Sequence, residues 1–209
     1  MITEIPIQSI SNLTSKQLDA WFGINDNEKK LINTLVSGEV LIELEENFSV
    51  NPNKYYSREG EVYFNPFHSG QYCIYLYYLS HAVYKAGNSL LADKLYYLNK
   101  IMNGLDMLYA INLPKHFSCD HPVGTVLGRA EYSDGFSFAQ NCSVGNNKGI
   151  FPVLGKNFVM CAHSTVLGNC HIGDNVTLGA GALVKDQDVP SNSFVFGQSP
   201  NLIIKEKKK

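Results

Sequence analysis

The chain has 209 residues, 44% of them hydrophobic, and a formal net charge of -2. A near-neutral balance gives no electrostatic footing for nucleic acid or for an anionic membrane surface. No apolar run approaches the roughly 20 residues of a membrane span, and Met1-Ile-Thr-Glu-Ile-Pro lacks the basic flank and apolar core of a signal peptide. The five cysteines, Cys73, Cys119, Cys142, Cys161 and Cys170, are scattered without a CxxC pair. An odd, dispersed set reads as reduced thiols in a cytoplasmic protein, with a zinc site as the alternative.

Residues 1 to about 50 read as short helices. Ser15 is an N-cap candidate for a helix carrying Leu18, Trp21 and Phe22. Asn25 to Leu35 and Gly38 to Phe48 follow as two more. Asn51-Pro-Asn marks a turn, and Tyr55 to Phe64 suggests a strand pair around Arg58-Glu-Gly-Glu. Ser69 to Lys85 is apolar nearly all round, as expected of a helix buried among others. Ser89 to Met102 is a second helix with Leu91, Leu95, Leu98 and Ile101 inward, closed by Asn103-Gly104. The tyrosines in this region read as packing.

Beyond Leu105 the pattern changes. Leu154-Gly-Lys-Asn-Phe-Val, Met160-Cys-Ala-His-Ser-Thr, Val166-Leu-Gly-Asn-Cys-His, Ile172-Gly-Asp-Asn-Val-Thr, Leu178-Gly-Ala-Gly-Ala-Leu and Val184-Lys-Asp-Gln-Asp-Val each open on an apolar residue. A period of six is neither helical nor a simple strand alternation, and it suits a parallel β-helix. Val126, Tyr132, Phe138 and Val144 keep the phase upstream. The break between Gly145 and Pro152 reads as a loop ejected from one corner. Pro190 and Pro200 end the coils, with Phe194-Val-Phe-Gly-Gln along their end. The expected organisation is a helical N-terminal domain over 1–104, a β-helix over 105–204 and a solvated basic tail over 205–209, an α+β chain.

Asp120-His121-Pro-Val-Gly-Thr-Val-Leu-Gly, preceded by helices and followed by regular hexapeptides, resembles the serine acetyltransferase branch of the left-handed β-helix acyltransferases. The likeness covers residues 65–204. It implies that His121 is the general base, taking the proton of an acceptor hydroxyl as that oxygen attacks the thioester of acetyl-CoA. It implies Asp106, fifteen residues earlier, as the carboxylate that orients His121, and Asp120 as an acceptor contact. A base near neutral pKa within hydrogen-bond reach is what a poorly nucleophilic hydroxyl needs. His163 is the second choice of base; His116 and His171 are further rivals. Ala162 and Ala180 are implied as the small residues against which the pantetheine arm lies, with Gly179, Gly181 and Lys185 nearby. No metal is expected, because the thioester is already activated.

The family carries an Arg-His pair before the proline that precedes the later coils. Here the corresponding residues before Pro152 are Ile150 and Phe151, which cannot make a charge-assisted pair with a carboxylate. The aromatic face of Phe151 suits a sugar ring, and Arg129 could supply a cation. The sequence therefore favours O-acetylation of a sugar or nucleotide-sugar hydroxyl, with serine O-acetylation as the alternative and a non-enzymatic β-helix module as a third reading. An amino-sugar N-acetyltransferase is a variant of the first. The resemblance also implies a homotrimer with the donor groove between subunits, or a dimer of trimers through the helical domain.

Overall fold

The computed structural model describes residues 1–208, in two compact units that meet in sequence between Asn103 and Gly104.

The first unit is built on five helices. The first, α1 (Ile7–Phe22), starts after Pro6, a full two turns before the Ser15 start that the sequence suggests. Its buried stripe explains the extension, since Ile10, Thr14 and Leu18 recur at helical spacing and are fully enclosed. Thr14 satisfies its hydroxyl on the Ile10 carbonyl at 3.1 Å and meets the Tyr72 and Tyr75 hydroxyls at 3.2 and 3.0 Å. Next, α2 (Asp26–Leu35) is capped by a reciprocal Asn25–Glu28 box. Glu28 also bonds Lys94 at 2.9 Å in a mostly buried pair.

The sequence suggests a break near Gly38. The chain instead passes through a π turn (Val36–Val40) straight into α3 (Leu41–Ser49). The wider turn keeps Val36, Val40, Leu44 and Phe48 on one buried stripe. Strand β1 (Ile2–Thr3) pairs with β3 (Glu61–Phe64), which forms a hairpin with β2 (Ser57–Arg58). Then α4 (Ser69–Lys85) is enclosed on nearly every side. Helix α5 (Ser89–Asn103) turns Leu91, Leu95 and Leu98 inward, but Ile101 outward. Asn99 takes the inward place, because its amide reaches the Cys73 carbonyl at 3.0 Å and Asn103 bonds it in turn.

The second unit is a solenoid of short parallel strands on three faces. The first face stacks β4 (Asp106–Met107), β6 (Val126–Leu127), β9 (Ser143–Gly145), β12 (Thr165–Leu167) and β15 (Leu183–Lys185). The second stacks β7 (Glu131–Tyr132), β10 (Val153–Leu154) and β13 (His171–Ile172). The third stacks β5 (Phe117–Cys119), β8 (Phe136–Phe138), β11 (Val159–Met160), β14 (Thr177–Leu178) and β16 (Ser193–Phe196). Stacked this way, the three faces make a left-handed β-helix.

The inward column is the hexapeptide phase itself: Leu154, Met160, Val166, Ile172, Leu178 and Val184 are all buried. One coil earlier the phase slips. Leu127, not Val126, pairs with Val144 and points inward, while Val126 is exposed. The step from Leu127 to Tyr132 is one residue shorter than a hexapeptide, and Tyr132 bonds back to the Gly128 carbonyl at 2.7 Å. At the corner between the second and third faces, Asn157, Asn175 and Asn192 all take positive φ and pass side-chain hydrogen bonds up the stack at 2.9 and 3.1 Å.

The sequence reads 205–209 as a frayed tail. Lys205 and Glu206 instead belong to β17 (Ile203–Glu206), antiparallel to β16. Lys205 and Lys207 stand over the rings of Phe196 and Phe194, contacts that composition cannot show. Lys209 lies outside the described residues.

Phe158 is fully buried and stacks on Phe136 at 6.1 Å between centroids. Phe158→Ala should cost about 3–5 kcal/mol in denaturant unfolding, the range for deleting a buried aromatic. A loss below about 1 kcal/mol would contradict a close-packed solenoid core.

Candidate active site

The corner from the third face to the first gathers most of the residues that the sequence singles out. Asn141, His163 and Gly181 occupy equivalent corner positions with φ of 57, 61 and 72°. Each donates its backbone N–H to the coil before it: Asn141 to Val123, His163 to Gln140 and Gly181 to Ala162, at 2.9–3.0 Å. Ala162 and Ala180 therefore sit one above the other, a strand spacing apart. Gly124, with φ of 77°, begins the column.

That first corner is longer than the others. Cys119 pairs with Phe138 and Val126 with Ser143, so the chain from Cys119 to Val126 carries two residues more than the chain from Phe138 to Ser143. The surplus falls at Asp120–His121–Pro122, which bulges from the column. His121 is exposed with φ of 52°. Its place in the chain, though not its positive φ, has no counterpart in the repeat, and it precedes a proline, which drives its neighbour toward extended backbone. Such strain costs of order 1–3 kcal/mol and gathers at functional positions. His163 has a positive φ too, but there the corner demands it.

Asp106 lies on the edge strand of the first face, opposite Val126, and its N–H bonds the Thr125 carbonyl at 2.9 Å inside the His121 corner. Met107 is buried, so Asp106 takes the outward position of β4. Asp120 is exposed, its N–H on the Phe138 carbonyl at 2.9 Å. Asp106, Asp120, His121, Ala162, Ala180 and Gly181 thus share one edge of one unit.

The remaining candidates lie elsewhere. Gly179 is buried beneath Phe196, and an added Cβ would come within 2.4 Å of that ring. Its small size serves packing, so Phe196 rather than Gly179 presents a surface there. Lys185, Arg129 and Phe151 belong to the opposite side of the first face, at its corner with the second. Lys185 lines a shallow cavity of about 290 Å³ with Asp186, Gln187, Ser199 and Pro200. The ejected segment proves to be a tight turn in which Asn147 and Ile150 exchange both backbone hydrogen bonds. It leaves Ile150 half exposed and Phe151 39% exposed.

Two of the rival histidines are held by carboxylates: His116 by Asp134 at 2.8 Å and His171 by Asp188 at 3.1 Å. Cys161, one residue before Ala162, is half-buried, and burial together with Cys142 pushes its thiol up. It stays protonated at neutral pH and is a poor nucleophile. Sequence reasoning missed Phe196 and Asp186. The only signal was positional: each lies about one coil beyond a glycine, Gly179 and Gly168.

No protein-family model matches the chain. It is similar to a putative serine acetyltransferase of Schizosaccharomyces pombe, 27% identical over 205 residues, covering 94% of this chain and 71% of that one. A serine acetyltransferase of Staphylococcus epidermidis is 28% identical over 155 residues, 66% of this chain and 67% of its own. Among solved structures, a serine acetyltransferase from Brucella abortus in complex with coenzyme A superposes with a TM-score of 0.74 at 19% identity, covering 99% of this chain and 84% of that one. The chain is thus similar in sequence to serine acetyltransferases, and its fold is a left-handed β-helix of hexapeptide repeats.

If His163 serves only as the corner residue, His163→Asn should leave stability and turnover within about twofold, since Asn takes positive φ readily. His163→Val should lose about 1–3 kcal/mol in thermal unfolding. A large loss of turnover in His163→Asn would make His163 part of the chemistry.

Proposed function

We propose that this chain is an acetyl-CoA-dependent O-acetyltransferase with His121 as general base. The observation that carries the reading is the strained His121, set out from a corner that also holds Ala162 and Ala180. In the proposed reaction, the pantetheine arm of acetyl-CoA lies along that small-residue column. A ring nitrogen of His121 accepts the acceptor's hydroxyl proton as its oxygen attacks the thioester carbonyl carbon. The tetrahedral intermediate collapses by breaking the carbon–sulfur bond, and His121 returns the proton to the departing sulfur. Asp106, on the edge strand beside this corner, is the carboxylate assigned to orient the ring and stabilise the imidazolium. Asp120 is assigned to the acceptor.

The acceptor needs a correction of emphasis. The sequence alone favours a sugar hydroxyl, but the relatives in sequence and fold are serine acetyltransferases, and they favour the serine alternative. We take L-serine as the first acceptor. A saccharide hydroxyl stays as the second reading because of one observation: Ile150 and Phe151 present an apolar surface where a carboxylate-binding arginine would be needed.

The two candidate halves lie on opposite edges of the first face, an arrangement that suits a site shared between neighbouring copies. We propose a homotrimer with the site between neighbouring subunits; the helical unit would join two such trimers.

The test is CoA release from acetyl-CoA with L-serine and with a panel of sugars and nucleotide sugars. His121→Asn should lower kcat by about 10²–10⁴. His121→Gly should be equally inactive yet more stable by up to about 1 kcal/mol, because glycine relieves the positive φ. Turnover that survives both substitutions would remove His121 as the base.

A further inference from the structure

We infer that Asp186 is a positioning residue for acceptor recognition, its carboxylate fixing the Asn147–Ile150 turn that presents Ile150 and Phe151. The inference rests on the acyltransferase reading above and deepens it by assigning what holds the acceptor-side wall in place.

The turn is well defined within itself. Asn147 and Ile150 exchange backbone hydrogen bonds at 3.1 and 3.0 Å, and Lys148 and Gly149 take φ of 51 and 82°. Two successive positive φ values make the two-residue turn that matches strand twist. What such a turn lacks is a fixed attitude to the body that carries it. It leaves the coils after Gly145 and rejoins them at Pro152, whose carbonyl accepts from the Glu131 N–H at 3.0 Å, and between those anchors a rigid turn can swing as a unit.

Asp186 supplies the missing tie. It sits at the corner between the first and second faces with φ of 49°, its N–H on the Leu167 carbonyl at 3.0 Å. One carboxylate oxygen accepts from the Asn169 backbone N–H at 3.0 Å; the other accepts from the Asn147 side-chain amide at 2.5 Å. The carboxylate thus bridges three successive coils, from the turn to the corner of its own. The Asn169 N–H, against a partial offset from burial and with help from the Asn147 amide, holds the Asp186 carboxyl below its ordinary range. It is charged at neutral pH, which makes both bonds charge-assisted.

The coil between them is shaped for this contact. Gly168 stacks directly beneath Asp186, and a Cβ there would lie 2.1 Å from the Asp186 Oδ1 atom and 2.6 Å from the Asn147 Cβ atom. Its φ of 79° also favours glycine. Asn147 and Asp186, from the coils on either side, together leave room only for glycine at 168. None of them faces the His121 corner, so their effect on a reaction there would pass through Ile150 and Phe151. A misplaced binding wall is costly even when the chemistry is intact.

The experiment compares wild type with Asp186→Asn, Asn147→Asp and the two combined. Asp186→Asn keeps the corner backbone but loses one of its two acceptor bonds in either amide orientation. Asn147→Asp sets two carboxylates face to face. Each single variant should raise the acceptor KM about five- to tenfold, with kcat and the acetyl-CoA KM within about twofold. The combined variant restores the geometry with roles exchanged, the amide at 186 donating to the carboxylate at 147, and should return the acceptor KM to near wild type. A general structural role would instead lower all parameters together without rescue.

Amide hydrogen exchange over residues 146–151 reads the same tie independently of turnover. Exchange there should rise about tenfold in the single variants and fall back in the combined one. Unchanged exchange and unchanged acceptor KM in the single variants would overturn the assignment. If wild type transfers acetyl to no acceptor but the exchange pattern holds, the tie from Asp186 to the turn stands, and its role in acceptor recognition falls together with the acyltransferase reading.

Discussion

The solenoid depends on a steric and hydrogen-bonding constraint: parallel strands stacked at a fixed spacing, with one apolar side chain per rung pointing inward. Leu154, Met160, Val166, Ile172, Leu178 and Val184 fill that axis and are all buried. Parallel pairing supplies a fixed register, such as Met160 to Leu178 and Val166 to Val184. Because each coil repeats the last, equivalent positions fall in columns along the stack. A corner column is a surface whose chemistry can be written residue by residue while the scaffold stays constant. The asparagines at 157, 175 and 192 show the structural use of a column, passing hydrogen bonds from coil to coil.

Function is read where that regularity is interrupted. The two surplus residues at Asp120–His121 push a histidine out of a column that otherwise holds Asn141, His163 and Gly181. The surplus between Gly145 and Pro152 forms a turn carrying exposed Ile150 and Phe151. Both departures are secured by the regular coils around them. The His121 bulge rests between backbone bonds from Asp120 to Phe138 and from Gly124 to Gly104, and the second is tied by Asp186. Rigid coils with a few displaced residues suit a site that must place a thioester and a hydroxyl together, since positioning accounts for much of such catalysis.

Much of this was legible in the sequence, because a six-residue period reports directly on the core. The same periodicity located the ejected loop by its failure. Helix α4 could be bounded to the residue by its apolar content and its flanking turns. What escaped was whatever depends on neighbours distant in the chain. Val126 looked inward until the pairing of Leu127 with Val144 set the phase. Ile101 fits the apolar spacing of α5, yet Asn99 is inward because the Cys73 carbonyl awaits it. Gly179 looked like a ligand contact and is instead the seat of Phe196. Lys205 and Lys207 looked like a loose tail and lie over phenylalanine rings. The bridge from Asp186 to Asn147 spans 39 residues and leaves no local pattern. In the candidate site, the sequence offered candidates but not their grouping: the corner that collects His121, Ala162 and Ala180 lies across the first face from Lys185, Arg129 and Phe151.

A crystal structure of the assembled protein with coenzyme A bound tests the central claim most directly, because it asks which corner column carries the donor. The account predicts the pantetheine arm along Ala162 and Ala180, with its sulfur within reach of the His121 ring. Coenzyme A lying instead along the Gly168–Asp186 corner, with its sulfur remote from His121, would contradict it.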